Sequence, residues 1–376
     1  MAEKKTRFLL LKNLDVFLIA VVYILAICGL VAIYSATRSS DSGTRQMIVQ
    51  SAALVLGTVM MLLISRIDYD IYPAFVKLIY AASVAILLFV LIFGEGKEET
   101  GANSWISLGF ISIQPSEFVK LAFAITFSIH LDSVKGNINR FSVLLKLFLH
   151  FAVIAALVIL QNDTGTTLVF AFMFFVMLFV GGLSFKYIVA AFTGLAVLVP
   201  VAWFGFMKPY QKERILVFLN PERDASGYGY QVSQSKIAIG SGEFVGRGYL
   251  SGPQNQFGLL PEKDTDFIFG ALAEELGFLG ATFIVFLLTL LVIRCFHASV
   301  KAKDDRGRFL CAGLAAMFMF HIVENILMCM GLLPVTGIPL PFLSYGGSSL
   351  MTNFMAIGLV LSVWSRRRVV KFEITY

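Results

Sequence analysis

Apolar runs of about 20 residues follow one another along this chain, separated by short segments that carry most of the charge. Ten can be traced, at 16–36, 46–65, 75–94, 115–131, 141–160, 164–183, 185–206, 267–293, 309–331 and 347–364. About 20 apolar residues in a helix cross about 30 Å of hydrocarbon, and a helix satisfies its own peptide groups there. The pattern predicts an all-α integral membrane protein with about ten transmembrane helices, forming one polytopic membrane domain over 1–376. The first run follows Lys4, Lys5, Arg7 and Lys12, as the core of a secretory signal would. It exceeds the roughly 7–15 residues of such a core, and Tyr34 stands where cleavage after Ala36 would want a small residue. It reads as a retained first helix.

The polar segments alternate in charge. With the N-terminus inside, one set of connections holds about 18 Lys and Arg, while the other short ones hold Arg38, Arg45 and Lys97. Basic residues collect in cytoplasmic loops, so both termini are expected in the cytoplasm. The exception to short connections is a long extracytoplasmic loop at about 207–266, where Tyr, Phe, Ile and Gly mix with charges. Unbroken loops of this length are usually functional.

Composition agrees with lipid as the solvent. Of 376 residues, 58% are hydrophobic and 14% charged, with 36 Phe and 10 Pro; soluble domains carry about 25% charged residues. The net charge of +6 lies at helix ends, which marks topology and gives no basic face for nucleic acid. Cys28, Cys295, Cys311 and Cys329 lie in or beside apolar stretches without metal-like spacing.

On this topology the unusual polar residues gather toward the non-cytoplasmic side. Gln114 to Lys120 opens the fourth helix, with Pro115 suited to its first turn and Glu117 and Lys120 as i,i+3 neighbours. Gln161-Asn162-Asp163 forms a tight outer turn. The long loop ends in Leu260-Pro261-Glu262-Lys263-Asp264-Thr265-Asp266, and residues 334–348 form a last outer connection rich in Pro, Gly and Ser. Each has a plain structural reading too. Glu117 and Lys120 can be an ion pair that makes burial tolerable, and Asp264, Thr265 and Asp266 can cap a helix start. Glu274, Glu275, Glu324 and Asn325 fall within apparent helices, where ionisable groups usually face a cavity or a partner. His130, His150, His297 and His321 read as packing or interfacial residues. Gly240-Ser241-Gly242 is too short to interpret alone, and no P-loop, HExxH or dinucleotide fingerprint is present.

Five segments together are specific: GANSWISLGFISIQPSEFVKL, QNDTGTTL, NPERDASGYGYQVSQSKIAIGSG, LLPEKDTDFIFGALAEELGFLG and LLPVTGIPLPFLSYGGSS. With them the chain resembles, over nearly its whole length, the bacterial SEDS family (shape, elongation, division and sporulation). LAEELG and QSKIAIGSG are similar to its elongation branch. Three positions depart from the family's usual pattern: Ser104 where Arg precedes the Trp, Asn162 where the turn has Pro, and Glu243 where a Gly is usual.

The resemblance implies a peptidoglycan glycosyltransferase that polymerises lipid II, a lipid-linked disaccharide-pentapeptide, into glycan strands at the outer membrane face. It implies a class B penicillin-binding protein, the crosslinking transpeptidase, as partner, and it assigns the family's essential acid to Asp266. The physics agrees: a pyrophosphate leaving group departs without a general acid, so one carboxylate serving as base for the acceptor hydroxyl suffices, unlike the pair in most glycosidases. Arg214, Lys236, Arg247 and Lys263 are candidates for the phosphate charge, with Glu117, Lys120 and Asp163 lining the cavity beneath. A divalent cation (Mg or Mn) near Glu262, Asp264 and Asp266 is compatible with this chemistry. A lipid II flippase and a non-catalytic scaffold for the transpeptidase stand as alternatives, although a transporter would set its polar groups nearer the midplane, often in repeated halves.

Overall fold

The structure, a computed structural model, describes residues 14–367 except 39, 41, 97–101, 108, 110, 111, 206–208, 221, 222, 225 and 226. Lys4, Lys5, Arg7, Lys12, Lys97, Arg368 and Lys371 lie outside the described residues. In chain order the helices are α1 (Val16–Thr37), α2 (Gly43–Arg66), α3 (Tyr72–Phe93), α4 (Pro115–Ser133), α5 (Phe141–Leu160), α6 (Thr164–Val180) and α7 (Phe185–Gly205). Then come α8 (Pro209–Leu219), α9 (Tyr228–Ser241) and the single turn α10 (Pro253–Gln256), followed by α11 (Ile268–Lys301), α12 (Asp305–Cys329) and α13 (Gly347–Ser365). A two-residue hairpin pairs Ile106–Ser107 with Ser112–Ile113.

All ten apolar runs are therefore helical. Among the described residues seven helices are long and apolar enough to span a membrane: α1, α2, α3, α5, α11, α12 and α13. The expected count of about ten is reduced to seven by that measure. Two of the other three have evident reasons: α4 is diluted by Glu117, Lys120 and Asp132, and α6 has 17 residues. The expected long loop is about half helical, since α8, α9 and α10 lie within it.

Helices α12 and α13 form the centre and are buried along most of their length. Small residues bring backbones together there, as within membranes generally. A side chain at Gly57 would run into the Phe354 ring, and one at Gly358 would meet the Met61 carbonyl. α3 is peripheral, turning Phe75, Phe89, Ile92 and Phe93 outward, where hydrocarbon is the natural solvent.

The two ends of the bundle differ. At the end expected to be cytoplasmic, ion pairs tie the turns together: Asp15 to Arg294 at 2.5 Å, Asp68 to Arg366 at 3.1 Å, Asp70 to Lys303 at 2.5 Å and Asp132 to Arg306 at 3.2 Å. Asp15 also caps α1 by accepting from the Leu18 amide. Both ends of the described chain lie on this face.

Toward the other end, α11 is broken at Gly277, whose φ of 66° and ψ of −168° belong to a region essentially confined to glycine. Unpaired peptide groups inside a membrane protein must find protein partners, and the segment after α9 supplies them. The Arg247 and Gly248 amides donate to the Glu274 and Glu275 carbonyls at 2.9 and 3.0 Å. The Phe278 and Leu279 amides donate to the carbonyls of Glu243 and Phe244 at 2.9 and 3.2 Å. The backbones touch at Gly242 and Gly246, where a Cβ would lie 2.0 Å from the Ala273 carbonyl and 2.1 Å from that of Glu275. Gly242 thus has a packing reason that its short motif did not reveal. The buried carboxylates beside the break are also satisfied. Glu274 accepts from the Gln254 and Asn255 amides, and Glu275 accepts from Ser35 and from the side chains of Asn255 and Gln256.

Candidate active site

The outer ends of the helices enclose a cleft of about 390 Å³, within the range of small-ligand sites. One wall is Ser104, Trp105, Gln114 and the turn at Asn162 and Asp163; another is Tyr228 and Gln231 on α9; the rest is Glu262, Thr265 and Asp266 with residues of 335–349. Of the candidate residues, Asp163, Glu262 and Asp266 are brought together here.

Asp266 is held by its backbone. It does not cap α11: Phe267 takes that position, and no side-chain hydrogen bond is made there. The carbonyls of three consecutive residues are instead taken by donors from α12 and the last outer connection. Tyr345 N donates to Asp264 O at 2.7 Å, Ser344 Oγ to Thr265 O at 2.6 Å, and Asn325 Nδ2 to Asp266 O at 2.8 Å. Gly337 lines the same cleft; its backbone has φ of +73°, and an added Cβ would stand 3.3 Å from Asp266 Oδ2. A bulkier residue at 337 would crowd the carboxylate.

Behind the cleft is a buried charge cluster. Lys120 is 1% exposed; its Nζ donates to Glu117 Oε1 at 2.7 Å and lies 2.9 Å from His321 Nε2. His321 Nδ1 is 3.2 Å from the Pro339 carbonyl. The packing role expected for His321 is thereby corrected, whereas His150 does pack, against Tyr80, Phe123, Phe127 and His130, with the Nδ1 atoms of the two histidines 3.1 Å apart. The His321–Lys120 pairing joins residues 201 apart in the chain, and nothing in local spacing announces it. Asn325 reaches the Ile338 carbonyl at 2.8 Å, and Thr336 Oγ1 donates to Glu324.

The outer acids and bases feel burial. Asp163 has its pKa raised by desolvation, opposed by the Thr166 amide and by Lys120; its Oδ2 accepts from Gln114 Nε2 at 2.9 Å. Asp264 is likewise raised by desolvation and accepts from Gln46 Nε2 at 2.8 Å. Lys263 is pushed down by desolvation against the pull of Asp264, Glu275 and Glu274, and its ammonium donates to the Asn255 carbonyl. It does not line the cleft. Neither do Lys236, exposed on α9, and Arg247, which pairs with Glu243 at 3.6 Å beside the α11 break. Glu117 and Lys120 sit behind the cleft wall. Arg214 falls on α8, and its side chain lies outside the described residues.

Two of the sequence departures acquire a physical reading. Asn162 has φ of +63°, which proline, locked near −65°, cannot adopt. Ser104 is buried on the cleft wall, and its hydroxyl finds no partner among the described residues. Nor do three His, Cys, Asp or Glu side chains converge as a cation cage among those residues. Glu262 Oε2 accepts from Thr265 Oγ1 at 2.7 Å and Asp264 Oδ2 from Gln46 Nε2 at 2.8 Å.

A helical membrane protein with one backbone-clamped carboxylate in a polar cleft at its non-cytoplasmic end is built for chemistry on a membrane-bound substrate. The chain belongs to the SEDS family: the family model for cell cycle proteins of the FtsW, RodA and SpoVE type matches residues 15–369. It is similar to the peptidoglycan glycosyltransferase MrdB of Escherichia coli K12, at 34% identity over 95% of each chain. Among solved structures it resembles a peptidoglycan synthase complex that coordinates polymerization and crosslinking, with a TM-score of 0.80 and 31% identity over 93% of this chain and 97% of that one. It also resembles the rod shape determining protein RodA of Thermus thermophilus, with a TM-score of 0.70 and 27% identity over 94% and 97%.

Proposed function

We infer that the protein is a peptidoglycan glycosyltransferase of the bacterial cytoplasmic membrane, extending glycan strands from lipid II at the outer face during elongation and shape maintenance. The observation that carries the reading is Asp266, a carboxylate whose own and two preceding carbonyls are pinned at a cleft large enough for a sugar unit. In the proposed step Asp266 removes the proton from the 4-hydroxyl of the acceptor N-acetylglucosamine. That oxygen bonds to C1 of the donor sugar as the C1–O bond to the lipid pyrophosphate breaks, and the α-linked donor inverts to a β-1,4 link. Asp163, Gln114 and Glu262 are positioned to orient sugar hydroxyls. A base of this kind contributes about 10²–10⁴-fold.

The partner proposed is a class B penicillin-binding protein, supported by the likeness to a complex that joins polymerization to crosslinking. The deciding experiment supplies lipid II to the purified protein, with and without that partner, its transpeptidase blocked. Wild type is expected to make glycan ladders and folded Asp266→Asn to lose them by about 10²-fold or more. Near-normal ladders from Asp266→Asn would sink the base assignment. Movement of labelled lipid II across vesicles without any ladders would favour a flippase instead.

A further inference from the structure

The wall against which Asp266 rests is the strap 336–339, and α12 fastens it at consecutive points. Thr336 donates to Glu324, Asn325 donates to the Ile338 carbonyl, and His321 Nδ1 faces the Pro339 carbonyl at 3.2 Å. The first two fastenings end on α12 itself. The third continues inward, because His321 Nε2 lies 2.9 Å from Lys120 Nζ, and Lys120 is bound to Glu117.

The direction of these bonds follows from chemistry. A lysine ammonium only donates, so Nε2 of His321 accepts and the ring proton sits on Nδ1, from where it donates to Pro339 O. One imidazole thus joins a buried ion pair to the backbone of the cleft wall, and only one tautomer does so. The strap includes Gly337, which lines the cleft with Asp266 and where an added Cβ would stand 3.3 Å from the Asp266 carboxylate. Asn325 Nδ2 donates to both the Asp266 and the Ile338 carbonyls at 2.8 Å, so strap and acid share one anchor. Displacement of a catalytic group by about 1 Å can cost about 10²-fold in rate.

We propose that His321 is a positioning residue for the glycosyl transfer, holding the 336–339 strap, and through it Asp266, in register with the buried Lys120–Glu117 pair. The inference rests on the glycosyltransferase reading. Its test is steady-state polymerisation of lipid II by the purified full-length protein together with its transpeptidase-blocked partner, comparing wild type, His321→Leu and His321→Gln, each checked for unchanged melting in detergent. His321→Leu fills the space but makes neither hydrogen bond. Its kcat is expected to fall about tenfold or more while KM changes by less than about threefold, since misplacement acts on the reacting geometry. His321→Gln keeps one acceptor and one donor, and kcat is expected to return to within about threefold of wild type.

A leucine variant with kcat like that of wild type would overturn the proposal. So would a glutamine variant no better than leucine, because ring packing would then be all that matters. Should the leucine variant fail to fold, ring ¹⁵N spectra of histidine-labelled wild type decide independently, with the His321 signal identified by its loss in His321→Gln. The proton is expected on Nδ1, and an Nε2–H ring would refute the linkage. If wild type makes no glycan, the glycosyltransferase reading fails, whereas the tautomer measurement still reports on the linkage itself.

Discussion

Asp266 and Thr336 illustrate how differently two residues of one cleft depend on their surroundings. Asp266 is fixed through its main chain, so a side-chain substitution there is expected to remove the proposed base while leaving the clamp from Asn325, Ser344 and Tyr345 in place. Among the described residues Thr336 is the only hydrogen-bond donor to Glu324, whose Oε2 is buried without a partner there. Thr336→Val is therefore expected to cost about 1–3 kcal/mol, the penalty for stranding a buried acceptor, while Thr336→Ser stays close to wild type. Thermal unfolding in detergent checks this, and equal melting of the valine and serine variants would contradict it. The role proposed for Asp266 was legible because its motif is local and specific. That of His321 was not, because its partner Lys120 lies 201 residues earlier in the chain and their meeting depends on how α4 and α12 pack.

At the scale of elements, the apolar periodicity located all ten helical runs, since hydrocarbon demands long apolar stretches and the sequence must supply them. What it did not reveal was the break in α11. A single glycine within LAEELGFLG reads as an ordinary helical residue, and only the loop at 243–248 makes the interruption stable. Similarly, 207–266 reads as a loop because its helices are short and mixed in polarity. Gly277→Ala tests the break. The alanine would be forced into a glycine-only backbone region, costing about 1–3 kcal/mol, with its Cβ 2.2 Å from the Gly246 amide nitrogen. It is expected to lower the melting temperature and the yield of folded protein. An alanine variant as stable as wild type would mean that this segment can rejoin as continuous helix.

For the molecule as a whole, the separation of charge between its ends supports the orientation expected from the loops. The ion-paired end carries Arg294, Lys303, Arg306 and Arg366, while the cleft with Asp266 opens at the other. A cysteine introduced at Glu262 is expected to react with an impermeant maleimide on intact cells. One at Lys301 should react only after permeabilisation, and the opposite outcome would invert the topology. Of the native thiols Cys295, Cys311 and Cys329 are buried and interfere little, while the half-buried Cys28 on α1 is first replaced by serine.

The repaired break in α11 also bears on biosynthesis. The amides and carbonyls that close the gap at Gly277 belong to residues 243–248, which leave the ribosome before the helix they complete. A nascent chain that has reached the far side of the break already carries both halves of the repair. The outer half of α11 can thus enter the bilayer with its peptide groups matched from the start, without waiting for α12 or α13 to be made. Order of translation and order of hydrogen bonding coincide here, and a circular permutation that placed 243–248 after α11 would undo that coincidence while leaving the finished fold's contacts unchanged.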